Sequence, residues 1–395
     1  MGIATTDGAE KAAETAFRDE MTVAKTWAYF DHAAVSPIPR RAALAMQRWV
    51  EQANCDGDVP WLEWSKRANA VRGLACQLLH SRTDEIALIP NTTYGINIVA
   101  MGLPWEPGDS LVIPENEYPS NLLPWRSLAR LGVEIRTVSV DPSGTIEIDR
   151  IREAIDHTTR LVTVSWVGYA TGYRTDLGAL CDVVHRAGAK LFVDAIQGMG
   201  VFDLDTRDIP IDYAAADGHK WMLGPEGAGV LYIRESNLEQ LAPIMLGWNS
   251  VEASYEFHSD GTRLKKDASR YEGGSANLVG LIGLAESLSL LMELRGDEGD
   301  NWIARKVLEN AAQVRDVIRT VGGELNYPEP ASRNASTASG IVNFRMPGKE
   351  AAMVRKSLLD SGVVLSVRHG NLRAATHAYN NHQDIERLGT ALRDA

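Results

Sequence analysis

Residues 217–232 read D-G-H-K-W-M-L-G-P-E-G-A-G-V-L-Y. An apolar run enters this stretch at 213–217 and another leaves it at 228–234, so Lys220 stands between a buried strand and a glycine-rich turn. A lysine held there is partly desolvated, which lowers its pKa and favours its amine as a nucleophile. The bland alternative is a lysine whose stem lies on apolar surface while its head reaches water. Gly224, Gly227 and Gly229 form G-x-x-G-x-G ahead of a strand, the reverse of the dinucleotide fingerprint, which weakens a nicotinamide reading.

Outward from this stretch the chain alternates short apolar runs with helical segments. Strands are expected at 86–90, 110–114, 134–140, 160–167, 190–195, 213–217 and 228–234, and most read as continuous rather than alternating apolar runs. That is the pattern of strands covered on both faces. Helical segments at 93–102, 119–131, 146–155 and 176–187 are long enough to serve as crossovers between parallel strands. The fold class is therefore α/β, a seven-stranded, mostly parallel sheet flanked by helices. Upstream, helices are expected near 8–20 and 39–53, with Y-F-D-H-A-A-V-S-P, residues 29–37, as a loop close to something bound. Residues 247–277 break the rhythm as a long polar loop. Beyond it, helices at 278–294, 302–321 and 383–393 and strands at 339–345 and 363–367 form a small α+β unit. The expected division is a large domain at 27–277 and a smaller one from 1–26 and 278–395.

The 395 residues carry 45% hydrophobic and 23% charged side chains and a formal charge of −12, which excludes disorder and disfavours nucleic-acid or anionic membrane surfaces as partners. No run of 18 apolar residues occurs and the opening residues do not resemble a secretory leader, so a cytoplasmic location is expected. Cys55, Cys76 and Cys181 form no C-x-x-C pair, and neither a disulfide framework nor a zinc site is supported. His369, His377 and His382 are likewise poorly spaced for zinc, so no metal is expected.

In an open parallel sheet the ligand lies beyond the carboxyl ends of the strands. After the first strand, N-T-T-Y-G at 91–95 offers Thr92 and Thr93 at a helix N-terminus, as an anion cradle or simply as caps. After the second, E-N-E-Y-P-S-N at 115–121 places Tyr118 where its ring can stack on a flat ligand or pack ordinarily. After the fifth, L-F-V-D-A-I-Q-G at 191–198 puts Asp194 at the end of an apolar run, with Gln197 close behind. A carboxylate leaving a buried strand needs a partner. A phosphate cradle, a stacking ring, a carboxylate and a lysine amine together describe a site for pyridoxal 5'-phosphate (PLP).

With these residues the chain resembles the class V aminotransferases, PLP-dependent enzymes of fold type I that include cysteine desulfurases, selenocysteine lyase and isopenicillin N epimerase. The resemblance runs from about residue 27 to the C-terminus. It implies that Lys220 forms the aldimine with the cofactor, that Asp194 pairs with the pyridine nitrogen and Gln197 with the ring hydroxyl. It also implies that Thr92, Thr93 and His219 hold the phosphate and that Tyr118 stacks on the ring. R-Y-E-G-G-S-A-N at 270–277 resembles a family segment whose hydroxyl, here Ser275, reaches the cofactor phosphate of a second subunit. A homodimer is therefore implied. R-H-G-N-L-R-A-A-T-H-A-Y-N-N at 368–381 resembles the segment that binds the substrate α-carboxylate, which points to Arg373; Arg368 reads as a surface salt-bridge partner.

Departures from the family pattern bear on the reaction. Desulfurases carry a mobile cysteine just before that arginine, whereas this chain has none after Cys181. Tyr169, in S-W-V-G-Y-A-T-G at 165–172, stands where desulfurases commonly have Asn beside the ring hydroxyl. The 29–37 segment, E-Y-P-S-N and G-W-N at 247–249 look closer to the epimerase-like and aminotransferase branch. His32 is a candidate substrate contact, and Trp248 and His258, on the long loop, are candidates to line a substrate pocket across a dimer interface. The expectation is a PLP enzyme acting on a small amino-acid substrate by transamination or epimerisation. The alternatives are a C–S lyase working by β-elimination without a catalytic cysteine, and a non-catalytic PLP-binding partner protein.

Overall fold

The computed structural model describes residues 4–141, 143–256, 263–296, 301–326 and 336–395. Its main sheet contains β1 Ile86–Ile89, β2 Ser110–Pro114, β3 Glu134–Val138, β4 Thr159–Ser165, β5 Lys190–Asp194, β6 Tyr213–Asp217 and β7 Gly229–Ile233. The spatial order is β1-β7-β6-β5-β4-β2-β3. β7 runs antiparallel to both neighbours, and every other pairing is parallel.

The continuous apolar runs follow from burial on both faces. Val162, Val164, Leu191, Val193, Ala214 and Ala216 enter one core, together with residues of the helices Trp61–Leu79, Leu177–Arg186 and Leu278–Leu294. Their neighbours Leu161, Phe192, Tyr213 and Ala215 enter a second core with residues of the helix Thr92–Gly102 and with Trp125. This is the expected sheet with helices on both sides.

A third core lies around a four-stranded antiparallel sheet of β8 Glu324–Leu325, β9 Ile341–Arg345, β10 Ser366–Arg368 and β11 Asn371–Ala375, ordered β10-β11-β9-β8. The helices Trp302–Thr320, Ala351–Asp360 and His382–Asp394 contribute to it. A short parallel pairing of Ala28–Tyr29 with Val363–Val364 ties the N-terminal segment to this core.

Several elements differ from expectation. The single helix expected at 119–131 is three short pieces, Pro119–Asn121, Leu123–Arg126 and Ser127–Leu131, because Pro124 in the interior of that span supplies no backbone donor and its ring clashes with the preceding turn. The strand expected at 363–367 is two, and the segment 368–381 contains β11, a strand the sequence pattern does not predict. The helices Trp61–Leu79 and Ala351–Asp360 were likewise unassigned. Residues 247–277 contain two short helical turns, Trp248–Ser250 and Ala268–Tyr271, and a bridge between Val251 and Leu264; His258 lies outside the described residues.

Two helical glycines sit in opposite surroundings. At Gly95 an added Cβ meets Ile89 Cδ1 at 2.8 Å and Ala215 Cβ at 2.9 Å, whereas nothing lies within 4 Å of one at Gly73. Denaturant unfolding should show Gly95→Ala less stable by about 1–3 kcal/mol through overpacking. Gly73→Ala should be more stable by about 0.5–1 kcal/mol through helix propensity.

Candidate active site

The pocket opens where the carboxyl ends of β1, β2, β4, β5 and β6 converge. It encloses about 360 Å³ and is lined by Thr92, Thr93, Tyr118, Tyr169, Asp194, Gln197, His219, Lys220, Arg368 and Arg373, among others. Nine of the thirteen residues expected at the site are thus brought together.

Thr92 and Thr93 begin the helix after β1. Asn91 caps it, its side chain accepting the Tyr94 N–H at 2.9 Å, and the Gly95 N–H goes to the Asn91 carbonyl. The first two amides have no partner among the described residues, which leaves an anion cradle at the positive end of the helix. The hydroxyls are more committed than expected: Thr92 Oγ1 accepts the Asp217 N–H and Thr93 Oγ1 donates to Ser120. His219 Nδ1 lies 3.0 Å from Asp217 Oδ2 without hydrogen-bond geometry, and Asp217 Oδ1 is buried with no hydrogen-bond partner.

Lys220 follows β6. Burial pulls its ammonium down to about 8, opposed by the carboxylate of Asp194 and assisted by the charge of Arg373. Its Nζ stands 5.7 Å from the centre of the Tyr118 ring. Asp194 ends β5, and burial pushes its carboxyl up to about 6. One of its oxygens accepts the Ile196 N–H at 3.1 Å, and the other has no hydrogen-bond partner among the described residues. Gln197 donates to the Ala33 carbonyl and accepts from Trp221 Nε1, keeping one amide N–H in reserve.

Arg373, on β11, is 1% exposed. Its Nη1 donates to the Tyr169 carbonyl at 2.7 Å, Nε to Ser366 Oγ at 3.1 Å, and Nη2 pairs with Asp31 at 3.3 Å. A guanidinium braced on three sides presents its remaining N–H groups in a fixed fork, the form that grips a carboxylate. Sequence reading missed Asp31 and Ser366 as its supports. The loop before Arg373 is a two-residue hairpin, His369 and Gly370, with φ of 51° and 77°. Positive φ at both central residues makes a tight turn.

Three expectations change. His32 is no pocket residue: it is fully buried, with Nδ1 on the Ala375 carbonyl at 2.8 Å and Nε2 on Tyr379 at 2.7 Å, so it is a satisfied core histidine. Ser275 and Trp248, both expected at a pocket shared with a second subunit, line a separate cavity of about 590 Å³ on this chain. Arg368 lines the pocket and forms no ion pair among the described residues; its Nη1 donates to the Val367 carbonyl. The Tyr169 hydroxyl is engaged by His369 Nε2 at 2.7 Å, and its ring packs edge-on against Tyr118 at 5.1 Å.

Taken as a donor set, the pocket fits PLP: free helix amides for a phosphate, an amine for an aldehyde, a buried carboxylate for a ring nitrogen and an aromatic face. Comparison with known proteins agrees. A probable cysteine desulfurase of Methanothermobacter thermautotrophicus is 30% identical, with 95% of this chain and 96% of that protein covered. The apo structure of a cysteine desulfurase from Thermococcus onnurineus superposes with a TM-score of 0.86 at 25% identity, covering 96% and 97% of the two chains. A cystine C–S lyase in complex with its product cysteine persulfide has the same fold, with a TM-score of 0.85 at 22% identity and 93% and 97% of the chains covered. The family model for aminotransferase class V matches residues 28–389, and the chain belongs to that family of fold-type I, PLP-dependent enzymes.

Proposed function

We propose that this protein is a PLP-dependent enzyme acting at Cα of an α-amino acid, by transamination or epimerisation. The observation that carries the reading is the buried Lys220 amine held in one pocket with Asp194, Tyr118 and the braced Arg373. When bound, PLP supplies an electron sink for charge developing at Cα. Arg373 holds the α-carboxylate. Lys220 would take and return the α-proton, and a depressed pKa suits it to both tasks near neutrality. Asp194 would hold a proton at the cofactor's ring nitrogen, and Tyr118 would offer its ring to the cofactor. The large part of the chain, 27–277, holds the cofactor, while the smaller part contributes Arg373.

A second reading, β-elimination by a C–S lyase, is favoured by the desulfurase relatives together with the hairpin at His369 and Gly370. A two-residue turn without a thiol offers no residue on which sulfur can be carried, so sulfur would leave as a free product. We further infer a homodimer, in which Ser275 reaches the partner's pocket. Cys76 and Cys181, free and buried, suit a reducing, cytoplasmic setting.

Three outcomes test these readings. Borohydride reduction of the PLP-loaded protein should fix the cofactor on the Lys220 peptide by mass spectrometry, and Lys220→Ala should lower turnover roughly 10²–10⁴-fold or more. Arg373→Lys should lower kcat/KM about 10–150-fold, the equivalent of about 1.5–3 kcal/mol for a lost charged hydrogen bond. Pyruvate and sulfide from cysteine or cystine would favour elimination, whereas a strict need for a 2-oxoacid acceptor would favour transamination.

Lys220 also sets a pH dependence. Only its neutral amine reacts with an aldehyde, and the free fraction grows as pH rises toward its pKa of about 8. Stopped-flow uptake of PLP by apo-protein should accelerate about tenfold per unit below pH 8 and level off above it. A rate still climbing at pH 10 would mean the amine is not desolvated.

A further inference from the structure

Two guanidiniums line the pocket, and they differ in how they are paired. Arg373 has the Asp31 carboxylate at 3.3 Å. Arg368 is half-buried, forms no ion pair among the described residues, and donates through Nη1 at 2.8 Å to the carbonyl of its own neighbour Val367. Asp31 feels the charge of Arg368, but its ion pair is with Arg373. The Nε and Nη2 groups of Arg368 have no hydrogen-bond partner among the described residues.

The backbone brings the two arginines together. β10 and β11 run antiparallel, with Ser366 opposite Arg373 and Arg368 opposite Asn371. Residues directly opposite share a face, as do residues two apart on one strand, so Arg368 and Arg373 are diagonal neighbours on the same face of the small sheet. Both charges also reach Lys220 and push its amine toward the neutral form. An arginine with no function in the pocket relieves such repulsion by extending its head into water. Arg368 instead adds a third cationic group to a pocket that already holds Lys220 and Arg373.

The PLP reading uses every other charged part of the pocket: the helix amides serve the phosphate, Asp194 the ring nitrogen and Arg373 the α-carboxylate. Arg368 is left without a counterpart. We propose that Arg368 is a specificity-determining residue that receives a second carboxylate, so that the substrate is an α-amino acid with a short acidic side chain. The inference rests on the PLP reading above and narrows its substrate class. Such a substrate carries two carboxylates on one short chain, which suits two guanidiniums converging from adjacent strands, and the planar fork of Arg368 can grip the second one bidentately. A neutral side chain of the same shape would leave that guanidinium covered and without an anion, which is the source of discrimination.

The test is the visible absorbance of the full-length, PLP-loaded protein titrated with two isosteric pairs, L-aspartate against L-asparagine and L-glutamate against L-glutamine. In the wild type the acid of at least one pair should bind about tenfold or more tighter than its amide. In R368Q that preference should disappear, whereas R373K should weaken both members of the pair and keep the preference. Wild-type protein that responds to neither acid more strongly than to its amide overturns the proposal. So does an R368Q preference equal to that of the wild type, which would assign Arg368 to the α-carboxylate or to no ligand. If R368Q does not fold, R368K decides: a point charge in place of the fork should lower the preference several-fold, and an unaltered preference overturns the proposal. Wild-type protein that takes up no PLP refutes the cofactor reading itself, whereas uptake without preference for an acid refutes this inference alone.

Discussion

A primary amine buried among other charges is the constraint on which the rest of this structure depends. Lys220 shares its pocket with Arg368 and Arg373, both of which disfavour its protonated form, and with Asp194 and Asp217, which favour it. Desolvation, aided by the two arginines, outweighs the two carboxylates, so the amine is drawn toward the neutral form near physiological pH. That balance requires a dry strand end, and the β-sheet provides one. β6 is buried along its whole length, and the turn after it is closed by Gly218, where an added Cβ would strike the Ala228 carbonyl at 2.8 Å.

The bracing of Arg373 is equally a consequence of how the two sheets meet. Arg373 lies on β11 of the small sheet, yet its guanidinium is braced by the Tyr169 carbonyl beyond β4 of the large one and by Asp31 in the N-terminal segment. Asp31 itself bridges to Ala375, and the neighbouring Ala28–Tyr29 strand pairs with Val363–Val364. The contacts that orient the arginine are therefore the contacts that hold the parts of the chain together. Asp31 offsets the charge of Arg373, which makes the burial of the guanidinium tolerable before substrate arrives.

The same physics explains what the sequence disclosed. Strands β1–β7 were legible because burial on both faces demands uninterrupted apolar residues, and Lys220 and Asp194 were legible because each ends such a run. β11 was not, since the charge of Arg373 interrupts the apolar pattern at its centre, as functional residues do. The Trp61–Leu79 helix was obscured by Glu63, Lys66, Arg67 and Arg72 between its buried Trp64, Ala68, Val71 and Ala75. His32 misled because a histidine in a loop of small residues reads alike whether it meets a ligand or, as here, Tyr379.

The hairpin beside the pocket bears most directly on the reaction. Its two turn residues adopt positive φ, and its strands pair Arg368 with Asn371, so the turn is tight and carries no thiol. His369 is moreover held by the Tyr169 hydroxyl, and the Tyr169 ring sits edge-on to Tyr118, so the three side chains form one linked set beside the pocket. On the function proposed above, Lys220 is then the base that acts at the substrate Cα, and a group expelled from Cβ would leave as a free product.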